Sequence, residues 1–235
     1  MGAAVTIIPL SKLLVGFLPV ALLLVIMHSW SLNALHAIYA NARMLIQLLA
    51  IGYVLTYVLE TDRPWVVIVV VAFMIAMSAW IALRPIADQR LHMFAIVLIT
   101  VGTCGLSILL LVTQFVLDMP RWFEPRYVVP LAGMIFANTM NTVSLAAERF
   151  RSEIVRNDEY VAARRTAMEA ALIPQINALL AVGLVSLPGM MTGQILSGID
   201  PLIAARYQIM VMCMVFASGG LAAACYLTLL RTARM

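Results

Sequence analysis

Seven apolar segments, near residues 12–30, 41–59, 65–83, 92–117, 127–147, 170–196 and 203–230, take up most of this 235-residue chain. An α-helix needs about 20 apolar residues to cross the ~30 Å hydrocarbon core of a bilayer. Inside lipid each backbone N–H and C=O must find a partner within the protein, so runs of this kind are helical. The sequence therefore predicts an all-α fold: a polytopic transmembrane helical bundle of about seven spans, making one domain over residues 1–235. Apolar residues are 64% of the chain and charged residues 11%, where a soluble domain carries about half and a quarter. Mean hydropathy is +1.02. The first segment runs from Lys12 to Trp30 without an A-x-A-like cleavage site and reads as a retained span.

The net charge of +4 does not imply nucleic acid. The arginines are scattered through short connections, with no basic face interleaved with aromatics; anionic headgroups account for them better. Cys104, Cys213 and Cys225 lie in apolar segments without CxxC spacing, which implies neither a disulfide framework nor a thiolate metal site. No Walker A loop, GxSxG elbow or HExxH is present, and no nucleophile–base pair nominates itself, so no catalytic residues and no resident cofactor are expected. Pro19, Pro174 and Pro188 fall within apolar segments, where each removes a backbone donor and favours a bend.

Orientation follows the bias of lysine and arginine toward the cytoplasm. With the N-terminus outside, Arg43, Arg84, Arg90, Arg149, Arg151, Arg156, Arg164, Arg165, Arg231 and Arg234 are cytoplasmic, against Lys12, Arg63, Arg121, Arg126 and Arg206 on the other side. That count favours N-out, C-in. Half of the cytoplasmic residues belong to one charged connection, 149–169, where Arg149, Arg151 and Arg156 alternate with Glu153, Asp158 and Glu159. Opposite charges at i,i+3 and i,i+4 support a solvent-facing helix there. Such a segment is either a solvated linker or the place where a soluble partner or lipid headgroups meet the bundle.

Polar residues inside the spans are the remaining signal. Asn138, Asn141 and Ser144 recur at i,i+3 on the fifth segment, with Glu148 a turn further on, so they lie along one side of the helix. Amides in hydrocarbon are costly unless paired, so this side is expected to face the bundle. Its oxygens, with Glu148 and Asn141 foremost, either line a cation path or bond helices together. Arg43 and Gln47 form an i,i+4 pair on the second segment. Arg43 either snorkels to the interface or pairs with Glu148, and Gln47 is expected to be buried. On the sixth segment Pro188-Gly189 weakens the helix beside Met190, Met191 and Gln194. Broken helices of this kind serve as hinges or substrate sites in transporters, although thioethers also simply fill space.

The run Val182-Gly183-Leu184-Val185-Ser186-Leu187-Pro188-Gly189-Met190-Met191-Thr192-Gly193-Gln194 resembles the signature of the FetB family of ABC-transporter membrane subunits. Arg43 with Gln47, Pro130-Leu131-Ala132-Gly133-Met134, Asn138 through Asn141, and Ala205-Arg206-Tyr207-Gln208 are similar as well, so the likeness covers nearly the whole chain. Bacterial members are described as iron exporters working with an ATPase, FetA; plant relatives are linked to aluminium tolerance. The resemblance implies a permease subunit in the bacterial inner membrane, a homodimer that moves a metal ion while a separate cytoplasmic subunit hydrolyses ATP. It leaves Asn138, Asn141, Ser144, Glu148 and Gln47 as pathway candidates. Pro188, Gly189, Met190, Met191 and Gln194 are hinge candidates, and Arg43, Arg149, Arg151 and Arg156 contact the ATPase or headgroups.

The chain departs from the family at the connection between the fifth and sixth segments. It is shorter there by about four helical turns and lacks a Leu-Ala-Leu-Gly-Ala-like stretch resembling a coupling helix. Either a reduced helix in 149–165 docks the ATPase or coupling is altered. Two other functions fit the same sequence: a non-transporting scaffold or sensor, and an ABC exporter of an organic or lipid-like substrate.

Overall fold

The structure, a computed structural model, describes residues 9–156 and 159–233. Asn157, Asp158 and Arg234, part of the charged connection and of the arginine count, lie outside the described residues. The chain forms two compact units, residues 1–60 and 61–235.

The first unit holds α1 (Leu10–Val15), α2 (Leu18–Ser29) and α3 (Ala34–Leu59). The expected span over 12–30 is interrupted at Gly16–Phe17. Pro19 sits in the first turn of α2, where its missing N–H costs no helical bond. Between α2 and α3, Ser31 takes a left-handed φ of 58°. Asn33 then caps α3 by accepting a hydrogen bond from the His36 N–H at 3.0 Å. Val58 is the one buried apolar residue among those described in this unit. Its other apolar side chains form the kind of surface that lipid covers.

The second unit holds α4 (Pro64–Ala82), a 3₁₀ turn (Arg84–Gln89), α5 (Arg90–Leu111) ending in a π turn (Val112–Val116), α6 (Pro125–Val155), α7 (Tyr160–Ala181), α8 (Gly189–Leu196) and α9 (Pro201–Ala233). Helix starts follow local chemistry. Proline occupies the first turn of α4 and α6. Asp200 caps α9, its Oδ1 accepting from the N–H groups of Leu202 (2.8 Å) and Ile203 (3.3 Å).

Helix α6 is the centre of the unit and packs against α4, α5, α7 and α9. Its inner side buries Ile135, Phe136 and Val143 completely or nearly so. Alanines at 79, 132, 146, 163, 167, 171, 222 and 223 are fully buried between helices, where small side chains let backbones approach without help from a hydrophobic driving force. Gly105 shows how close the approach is: a Cβ there would lie 2.4 Å from the Phe136 ring.

Among the described residues six helical stretches are long and apolar enough to cross a membrane. The expected sixth span over 170–196 is not one of them. Helix α7 begins ten residues earlier, at Tyr160, and stops at Ala181, leaving the eight-residue α8 as a separate piece. The break opens at Val182–Gly183, with Gly183 at φ +80°. The turn satisfies its own backbone: the Ala181 carbonyl accepts from Val185 (2.8 Å) and Ser186 (3.1 Å), and Gly183 N–H donates to the Ser186 carbonyl (2.9 Å). Pro188 and Gly189, read from sequence as the bend, instead start the new helix as N-cap and first residue.

Candidate functional site

At 31 residues α6 is about 46 Å long, more than a ~30 Å hydrocarbon core requires. Its apolar part therefore ends near Ala147, and Glu148 to Val155 extend beyond. Two polar features result, one within the bundle and one at its end.

Within the bundle, Asn138 donates from Nδ2 to the Val215 carbonyl of α9 at 2.7 Å. Gln175 of α7 donates from Nε2 to Asn138 Oδ1 (2.5 Å) and to Thr142 Oγ1 (3.0 Å). The Thr142 hydroxyl in turn donates to the Asn138 carbonyl at 2.9 Å. Three helices are thus joined at one polar node. Gly219 of α9 makes room for it, since a Cβ there would lie 2.6 Å from Asn138 Nδ2 and 2.7 Å from Thr142 Oγ1.

Asn138 points into the bundle as expected, but Asn141 and Glu148 are exposed and Ser144 is half-buried. Each i,i+3 step falls about 60° short of a full turn, so Asn141 and Ser144 rotate progressively away from Asn138. Thr142, one residue past Asn141, occupies the inner side instead. In the first unit Gln47 is exposed, contrary to the expectation of burial, and Arg43 is half-buried. Gln175, Thr142 and Gly219 were not among the sequence candidates. The available signal was Gln175 itself, an amide in an apolar segment that requires a partner.

At the break, α7, the turn after it, α9 and Met191 of α8 line an open pocket of about 370 Å³ that includes Leu179, Val182, Gly183, Gln208 and Cys213. The Oε1 atoms of Gln194 and Gln208 are buried without a hydrogen-bond partner. Met190 packs on the core, a structural role for that thioether.

At the charged end all three candidate arginines meet carboxylates. Arg149 Nη2 lies 2.6 Å from Oε1 of Glu153, and Arg156 is 4.0 Å from the same oxygen. Glu153, expected on a solvent-facing helix, is instead only 5% exposed. Arg151 forms a bidentate pair with Asp88 of the 3₁₀ turn, with Nη2 2.7 Å from Oδ2. Glu148 lines a groove of about 280 Å³ with Pro85, Arg151, Ser152, Val155 and Arg156. On α7, Arg165 donates to Glu169 at 2.8 Å, which raises the arginine pKa. Among the described residues no group of three or more His, Cys, Asp or Glu side chains is placed to hold a metal ion.

These features define a polytopic, all-helical membrane protein with a polar node inside an apolar bundle and a charged collar at one end. Residues 10–234 match the family described as "Uncharacterised protein family (UPF0014)", and the chain belongs to that family. It is 36% identical over 199 residues to a UPF0014 membrane protein of Synechocystis, covering 78% of this chain and 77% of the relative. It is 34% identical over 211 residues to the Escherichia coli "Probable iron export permease protein FetB", covering 81% and 79%. To the Arabidopsis thaliana "Protein ALUMINUM SENSITIVE 3" it is 28% identical over 211 residues, covering 82% and 76%. No solved structure matches it.

Proposed function

We propose that this chain is the permease subunit of an ABC-type exporter of a metal ion, iron in the first instance, with ATP hydrolysed by a separate cytoplasmic subunit. The observation that carries this reading is the relationship to the E. coli protein named as a probable iron export permease. The broken α7–α8 pair supports it, because discontinuous helices accompany midplane substrate sites in transporters. In this reading residues 1–235 act as one permease domain in the bacterial inner membrane, N-out and C-in, as a homodimer.

Asn138 is committed on both sides of its amide to protein partners, so it holds helices together. The ion path is then assigned to Asn141, Ser144 and Glu148, whose exposed or half-buried oxygens are free to meet a hydrated cation. A lone carboxylate at the mouth gathers cations without holding them too tightly to release. The collar of Arg149, Arg151 and Arg156 with Glu153 and Asp88 takes the place of the longer coupling segment, its ion pairs stiffening α6 where the ATPase docks.

The test is co-reconstitution with the candidate ATPase in proteoliposomes, following ATP-dependent Fe²⁺ movement beside a metal panel. Movement away from the ATPase side, abolished by an ATPase-dead partner and reduced in Glu148→Gln, is the expected result. A stable complex with lipid-stimulated, metal-insensitive ATPase activity would redirect the reading to an organic substrate. Absence of any complex would leave a scaffold.

A further inference from the structure

A groove of about 480 Å³ runs between the first turns of α7 and the last turns of α9. Its floor is apolar, made by Met168, Ala224 and Leu227, while Val161 is exposed beside Arg164, Arg165 and Glu169 at its rim. We infer that it is a binding site for an anionic phospholipid, with the phosphodiester on the arginines and the upper acyl chain on the apolar floor.

The helix seam fixes the rim in place. Tyr160 donates its hydroxyl to the Leu227 carbonyl at 2.6 Å, tying the start of α7 to α9. The Arg164 guanidinium carbon lies 5.7 Å from the Tyr160 ring centroid, a cation–π distance that holds the charge near the seam. Arg165 shares its charge with Glu169. Two guanidiniums thus stand against one carboxylate around an opening whose base is apolar.

The position suits the ligand. The charges at the end of α6 (Glu148 to Glu153) and at the start of α7 (Arg164 to Glu169) lie at this end of the unit, and α7 turns largely apolar beyond Glu169. The groove therefore spans the boundary where a headgroup meets its acyl chain. A soluble phosphate or an acidic protein surface would leave the apolar floor unused. A zwitterionic lipid would fill the floor but bring its own cation to the arginines. Basic pockets between membrane helices recognise anionic headgroups in this way.

The test is native mass spectrometry of the delipidated full-length chain, without any ATPase, titrated with phosphatidylglycerol or phosphatidylcholine of the same acyl chains. Phosphatidylglycerol should bind tighter, and Arg164→Gln with Arg165→Gln should weaken it by roughly thirty-fold while leaving phosphatidylcholine unchanged. The double lysine variant should retain most of the preference. Glu169→Gln should strengthen phosphatidylglycerol binding by removing the opposing charge, a gain that no misfolded protein would mimic. Equal affinity for the two lipids would overturn the inference. So would a preference that survives the double glutamine variant but disappears when Arg149, Arg151 and Arg156 are neutralised, and so would no gain in Glu169→Gln.

Discussion

Replacing Gly219 by alanine adds one methyl group at a crowded point of the bundle, against the polar node. Its Cβ would lie 2.6 Å from Asn138 Nδ2 and 2.7 Å from Thr142 Oγ1. Neither atom can swing aside freely, because the amide is held by the Val215 carbonyl and the hydroxyl by Gln175 and the Asn138 carbonyl. Overpacking costs about 1–3 kcal/mol, and disturbing the three interhelical hydrogen bonds adds roughly 0.6 kcal/mol each. Against this, alanine favours a helix over glycine by about 0.5–1 kcal/mol. The expected net loss is about 2–4 kcal/mol, or about 4–16 °C in Tm for a chain of this size. The neighbouring glycine is an internal control. A Cβ at Gly220 meets nothing closer than Leu172 Cδ2 at 3.7 Å, so Gly220→Ala should be neutral or slightly stabilising. Both variants can be compared in one detergent by SDS-induced unfolding followed by circular dichroism. Thr142→Ala should partly relieve Gly219→Ala, a coupling that a double-mutant cycle measures. If Gly219→Ala proves as stable as Gly220→Ala, the close approach of α6 and α9 described here is wrong.

Thr139 is fully buried and its hydroxyl has no hydrogen-bond partner; Thr139→Val should therefore stabilise the protein by about 1 kcal/mol in the same unfolding assay. Gln175→Leu leaves the Asn138 oxygen and the Thr142 hydroxyl without their donor, and should cost about 1–3 kcal/mol. Arg149→Ala should destabilise more than Glu153→Gln, because it strands a buried carboxylate with only the 4.0 Å contact to Arg156, whereas the glutamine removes the charge that needs a partner. Parallel melts of the two variants check the order.

The all-helical membrane fold was legible because the physics of lipid admits few alternatives; Pro64, Pro125 and Pro201, read as connection residues, are the first residues of α4, α6 and α9. The break in the sixth segment was legible in kind and misplaced in position. Pro188 fits an N-cap as readily as a bend, and nothing in the identity of Gly183 distinguishes a left-handed glycine from the helical Gly219 and Gly220. Asn138 could be recognised as a buried amide seeking a partner. The partner could not, because Gln175 and Val215 reach it from 37 and 77 residues away and no local periodicity encodes that meeting. Asn141 and Glu148 were misjudged by treating i,i+3 spacing as alignment, when the 3.6-residue period rotates such residues off the face within two turns. Pairs such as Arg165–Glu169 were readable because both partners lie on one helix.

The polar node also divides α7 into two lengths with different mechanical duties. Between Tyr160 and Gln175 the helix is pinned twice to α9, by the Tyr160 hydroxyl and through the Asn138 amide bridge. Past Gln175 there is less than two turns of helix before the chain folds back through a turn whose backbone bonds run to the last turn of α7 and within itself. Torque applied at the charged end therefore passes along a braced strut as far as Gln175. Compliance begins beyond it, and amide exchange should be slow up to that residue and rise from Val182 through α8.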